Sequence, residues 1–167
     1  PLMLVLWLLV FRGLGLELAE HVHGVWKSFW SACFGLASLA LAIVFGAALG
    51  NVVRGVPLDE NGRFFAPFWT HFGTEGKVGV LDWFTVLAGA VAALVLAFHG
   101  AHWLARDSEG GWGAVARRLH RPVGIAVAVL TAASFAVQPH IIARLTKEPW
   151  GFGIPALAIA AFLAARR

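Results

Sequence analysis

Arg12, Glu17, Glu20 and His21 cluster at the end of an otherwise apolar opening run, Leu2 to Leu18. Their types and spacing suit the transfer of protons or cations. Glu17 and His21 are four residues apart and Glu17 and Glu20 three apart, so a helix carries all three on one face, where a proton can pass between carboxylate and imidazole. Arg12 lies deeper in the run. Arginine at the centre of a membrane span costs about 2.5–3.5 kcal/mol on insertion scales, so it usually faces a bundle interior or a wet cavity. Glu17 is therefore the first candidate for chemistry, Arg12 is its functional neighbour, and Glu20 and His21 are relay groups. The competing reading ends the span near Leu16, lets Arg12 snorkel to the headgroups, and leaves Glu17, Glu20 and His21 as wet interfacial residues.

Other polar residues point to less. His99 and His102 suggest metal or haem ligation, but two histidines on one turn of one helix cannot approach a haem from opposite faces, and no cluster of Cys, His or carboxylate accompanies them. Beside Trp103 they read as interfacial residues, and no metal site is expected. Asp82 precedes Trp83, Phe84 and Thr85, where a carboxylate caps a helix start. Gly111 and Gly113 are followed by no Lys-Ser or Lys-Thr pair, so ATP hydrolysis is not indicated. Cys33 is alone and can form no internal disulfide.

The elements that hold these residues are read from composition. The chain has 167 residues, 59% hydrophobic and only 13% charged, with a mean hydropathy of +0.77. Globular domains carry about a quarter charged residues, so lipid is the main solvent here. A hydrocarbon core about 30 Å thick needs about 20 apolar residues per helix. Runs of that kind reach from before Leu2 to about Leu18, from about Trp30 to Val53, from about Asp82 to Leu104 and from about Pro122 to Ile142. Phe152 to Ala165 reads as a fifth span cut short, ahead of the alternative of a short interfacial or re-entrant segment. Helices are required because an open sheet edge cannot satisfy its backbone in lipid. The expectation is one all-α polytopic bundle over 1–167, opening at Pro1 as a fragment of a longer chain rather than with a signal peptide.

The connections are then Ala19 to Phe29, Arg54 to Leu81, Ala105 to Arg121 and Ala143 to Gly151. The long second one carries Phe64, Phe65, Phe68, Trp69 and Phe72, which suits a segment at headgroup level, over a partner, or over a quinone ring. The +4 charge and pI of 10.2 do not indicate nucleic acid, since the basic residues sit at the ends of apolar runs. Lys27, Arg106, Arg117, Arg118, Arg121, Arg166 and Arg167 outnumber Arg54, Arg63, Lys77, Arg144 and Lys147, which favours Ala105 to Arg121 on the cytoplasmic side. Small residues recur at Gly35, Ser38, Ala42, Gly46 and Gly50 in the second span and at Gly89, Ala93, Ala97 and Gly100 in the third. Such stripes let backbones approach, and Gly46 to Gly50 is a GxxxG match.

Specific stretches bear a likeness to a known family. Phe11-Arg12-Gly13-Leu14-Gly15-Leu16-Glu17, Phe45-Gly46-Ala47-Ala48-Leu49-Gly50-Asn51-Val52-Val53-Arg54-Gly55-Val56-Pro57-Leu58-Asp59, Leu81 to Gly89 and His99-Gly100-Ala101 resemble subunit II of the cytochrome bd-type quinol oxidases, including the cyanide-insensitive branch. The likeness covers about residues 2 to 121, and the chain looks like the middle portion of a subunit about twice as long. The resemblance implies a supporting subunit in a bacterial plasma membrane, packed against a partner subunit I that holds haem b, haem d and the quinol-oxidation site, with no cofactor on this chain. It also implies a proton route with an acid at the position of Glu17, here Glu rather than Asp, after an arginine at Arg12. His102 has no counterpart in that pattern. Two other functions fit the same residues less well: a small-solute transporter, for which no inverted repeat is evident, and a cytochrome holding its own haem through His99 and His102.

Overall fold

The apolar runs fold as helices in the computed structural model, which describes residues 2–55, 61–62, 67–74, 78–107 and 111–147, with 153, 157 and 160. The helices are α1 (Leu2–His21), α2 (Val25–Arg54), α3 (Trp83–Asp107), α4 (Gly111–Val137) and the short α5 (Pro139–Lys147). Among the described residues the only β pairing is an isolated parallel bridge between Trp69 and Leu81. By length and hydropathy, α2, α3 and α4 are each able to cross a membrane. α1 has 20 residues and carries Arg12, Glu17 and Glu20. This is an all-α polytopic bundle. The expected fifth stretch, Phe152 to Ala165, falls almost entirely outside the described residues, as do Phe64 and Phe65.

Packing follows chain order: α1 lies on α2, α2 on α3, α3 on α4, and α5 touches α4. Because consecutive helices run in opposite directions, the α1–α2 and α3–α4 turns share one end of the bundle. The described residues between α2 and α3 lie at the other.

Several boundaries differ from the hydropathy reading. The expected connection Ala19 to Phe29 shrinks to Val22–Gly24, because good helix formers carry α1 to His21 and α2 restarts at Val25. Gly24 makes the reversal with φ 64°, a conformation that favours glycine. The expected connection Ala105 to Arg121 is also largely helical: α3 runs to Asp107, and α4 begins at Gly111 and passes through Pro122 rather than starting there. Hydropathy locates the lipid, and a helix continues past it wherever local propensity allows. The fourth run breaks at Gln138 rather than near Ile142, since the residue before a proline is pushed out of the helical region. Gln138 is buried and reaches the Thr74 carbonyl at 3.5 Å, and α5 then occupies most of the expected connection Ala143 to Gly151.

The small-residue stripe splits in two. A Cβ added at Gly46 would come within 2.5 Å of the Ala92 Cβ and 2.8 Å of the Gly89 Cα, and one at Gly50 within 2.8 Å of the Ala88 Cβ. Gly89 in turn abuts the Ile43 carbonyl. These glycines are the α2–α3 contact. Gly35 and Gly100, by contrast, meet nothing within 4 Å. The stripe drifts around α2, and its upper part turns towards α1, where Ser38 bonds Arg12.

Gly46→Val should destabilise the protein by about 1–3 kcal/mol through overpacking. Gly35→Ala should be neutral or slightly stabilising, since glycine costs a helix interior up to about 1 kcal/mol against alanine. Thermal unfolding in detergent measures both; equal effects would remove the assignment of the tight contact to Gly46.

Candidate functional site

At the α1–α2 end, the predicted acid and histidine come together. The His21 Nδ1–H donates to the Glu17 carbonyl at 2.8 Å, and the Glu17 carboxylate lies 3.7 Å from the same nitrogen. Both side chains are about 70% exposed, at 68% and 71%, so this pair is open to exchange with its surroundings. Glu20 is exposed in the same last turn. His21 lies beyond the apolar run. The hydrogen bond to the Glu17 backbone, then the Glu17 charge and more weakly that of Glu20, raise its imidazole above its ordinary value, and partial desolvation opposes them.

Arg12 is placed by α1 against α2. Its Nε donates to Ser38 Oγ at 3.2 Å, and its guanidinium carbon lies 5.4 Å from the Phe34 ring centroid. Ser38 in turn donates to the Phe34 carbonyl at 2.7 Å. Gly15 permits this approach, since a Cβ there would fall 2.9 Å from the Phe34 backbone nitrogen. Arg12 also edges an apolar groove of about 880 Å³ bounded by residues of all five helices, including Leu41, Phe45, Ala92 and Leu96. Arg12 itself is exposed at the edge of this groove. It is held by α2 rather than by Glu17, so the two predicted partners are near in sequence without a direct bond.

The opposite end holds a cluster that sequence reasoning misses. Read from the sequence, Arg54 is only a cation at the head of a connection, yet it is buried and forms an ion pair with Asp82, which is fully buried. Arg54 Nη2 also donates to Asn51 Oδ1 at 2.5 Å and to the Gly79 carbonyl at 3.2 Å. Asn51 Nδ2 donates to the carbonyls of Ala47 at 3.0 Å and Val80 at 2.8 Å. Asp82 caps α3 as expected: Thr85 N–H donates to Asp82 Oδ1 at 2.8 Å, and Asp82 N–H donates to Thr85 Oγ1 at 2.9 Å. The signal that could find the pair is an arginine ending one span and an acid opening the next, which antiparallel helices bring face to face.

His99 and His102 line a pocket of about 390 Å³ with Trp103 and Arg106 on α3. Both imidazoles approach it from one helix, so the pocket does not fit a haem held from its two faces. Among the described residues, no group of three or more His, Cys, Asp or Glu side chains is placed to hold a metal ion.

Two stretches therefore converge at the buried pair: the Asn51–Arg54 segment and the Leu81–Thr85 segment. Comparison with known proteins identifies the family. The family model for cytochrome bd terminal oxidase subunit II matches residues 1–167. The chain belongs to that family. A probable cytochrome oxidase subunit 2 of Haemophilus influenzae is 33% identical over 104 residues, 62% of this chain and 26% of the relative. Cytochrome bd-I ubiquinol oxidase subunit 2 of Escherichia coli K12 is 29% identical over 112 residues, 65% of this chain and 28% of the relative. The match thus spans about a quarter of the length of these subunit II relatives.

Two outcomes test the site. Removing one member of a buried ion pair typically costs about 3–5 kcal/mol, whereas replacing both by neutral groups of similar shape costs far less. Arg54→Gln and Asp82→Asn should each lower the unfolding midpoint in detergent strongly, and the double variant should recover much of the loss; additive losses would mean the two side chains act independently. The raised His21 value has a definite sign: its charged form contributes stability below the unfolded value of about 6.5, and the contribution fades as pH rises through the folded value. NMR titration should place His21 above about 6.5, with Glu17→Gln lowering it only in part because the backbone bond remains. A midpoint in the parent protein no higher than the unfolded value would remove the coupling.

Proposed function

We propose that this chain is part of a supporting subunit of a respiratory bd-type terminal oxidase, which oxidises quinol and reduces oxygen to water. In this reading the partner, subunit I, carries haem b, haem d and the quinol-oxidation site, and this subunit stabilises it and delivers protons. Family membership supports the class of complex. The observation that carries the proton role is the exposed Glu17–His21 pair on the same helix as Arg12, which borders the groove about one and a half turns deeper.

Oxygen reduction consumes protons, and an acid at a helix end can collect them from water and pass them inward. His21, with its raised affinity for protons, extends the reach of Glu17 to solvent, and Glu20 adds negative charge that attracts them. Arg12 sets the local field on the same helix, and its bond to Ser38 holds it against α2. The groove and the exposed apolar side chains of α1, among them Leu6, Trp7 and Leu14, offer surface for lipid and for the haem-bearing partner. The protein resides in the bacterial plasma membrane. The end bearing Lys27, Arg106, Arg117, Arg118 and Arg121 faces the cytoplasm, which is also the end bearing Glu17.

In the complex assembled from full-length subunits, Glu17→Gln should reduce quinol-driven oxygen consumption at least about tenfold while leaving the haem spectrum intact, the scale of losing one proton-transfer group. Full activity would remove the proton role. Loss of the haem spectrum would assign Glu17 to assembly instead.

A further inference from the structure

The pocket formed by His99, His102, Trp103 and Arg106 is not used by any step above. Its residues follow helical spacing, so one stripe of α3 presents two imidazoles, an indole and a guanidinium together. The same stripe continues deeper as Leu96, Val95 and Ala92, which form part of the wall of the large apolar groove. A cationic, hydrogen-bond-donating pocket thus lies directly over an apolar channel on one helix face.

Depth fixes the chemistry further. The 25 residues of α3 span about 37 Å at 1.5 Å per residue, against a hydrocarbon core of about 30 Å. The helix is thus about one turn longer than the core is thick, and Trp103, exposed near its C-terminal end, suits the headgroup layer where interfacial tryptophans sit. The surroundings are cationic. Segment 99–121 carries Arg106, Arg117, Arg118 and Arg121 against Asp107 and Glu109, before its three histidines are counted. Arg117 is tied to this end of α3 by donating to the Ala105 carbonyl at 3.1 Å. Basic pockets at the cytoplasmic ends of membrane helices recognise phosphate headgroups.

We infer that the His99–His102–Trp103–Arg106 pocket binds the phosphate of an anionic phospholipid whose acyl chain lies down the groove along Leu96 and Ala92. Arg106 supplies a charged fork to the phosphate oxygens, the imidazoles donate hydrogen bonds, and Trp103 covers the glycerol region. A phospholipid satisfies both halves of the site, whereas a free anion would use only the pocket and a neutral isoprenoid only the groove.

The test uses the full-length protein in its native complex, delipidated in mild detergent and titrated with phosphatidylglycerol or phosphatidylcholine under native mass spectrometry. Phosphatidylglycerol should bind at least about tenfold more tightly, as expected for a desolvated charge-assisted contact. The double variant His99→Gln/Arg106→Gln should abolish that preference, Arg106→Lys should keep most of it, and Lys27→Gln, a cation at the same end on α2, should not change it. Equal binding of the two lipids, an unchanged preference in the double variant, or displacement by millimolar inorganic phosphate would each overturn the assignment. The inference rests on the proposed function for the partner subunit and the cytoplasmic position of this end, and its readout is lipid mass rather than oxygen uptake, so the two readings fail separately. Retention of the partner subunit in each variant shows that the fold is intact.

Discussion

Arg54 and Asp82 have both been withdrawn from water, and the register of the bundle depends on their remaining paired. The ion pair joins the last turn of α2 to the residue just before α3, while Asn51 and Arg54 also take up the carbonyls of Gly79 and Val80 ahead of the cap. With that end fixed, α2 and α3 can meet only in one register, the one in which Gly46 and Gly50 face Gly89, Ala88 and Ala92. Close backbone approach supplies dispersion, but it works at many neighbouring registers; the buried charges select among them, because a slip of one turn would leave a guanidinium and a carboxylate unpaired in a dry site.

Legibility in the sequence tracks how local each interaction is. The apolar runs, the all-helical class and the Asp82 cap are readable because each depends on residues within a few positions. The Glu17–His21 pair is readable for the same reason, being one helical turn. Helix ends are not, since hydropathy reports where lipid stops and not where hydrogen bonding stops; α1 and α4 extend several residues past their apolar limits. The role of Arg54 is hidden because its partner lies 28 positions away, across a segment with no periodicity to indicate that its two ends meet. The bond of Arg12 to Ser38 depends on how α1 and α2 rotate against each other, which spacing alone does not set.

The two ends of the bundle use polar residues in opposite ways. At the α2–α3 end they are buried, mutually satisfied and fixed, a structural use. At the other end, Glu17, Glu20, His21, His99, His102 and Arg106 are exposed and have spare capacity to bind or exchange. That division leaves the exposed, exchangeable groups at one end and the fixed, buried ones at the other. The apolar groove runs between them and is bordered at mid-depth by Arg12, the one cation on its wall among the described residues, which marks where an otherwise featureless channel can sense charge.

The turn at Val22–Gly24 limits how far α1 and α2 can move apart. Three residues, reversed through a left-handed glycine, hold the end of α1 close to the start of α2 and set the two helices antiparallel. The two helices form a tight hairpin, with the Arg12–Ser38 bond across it. Length variation among homologous chains should therefore collect in the segment between α2 and α3, and the α1–α2 elbow should keep its three-residue gap.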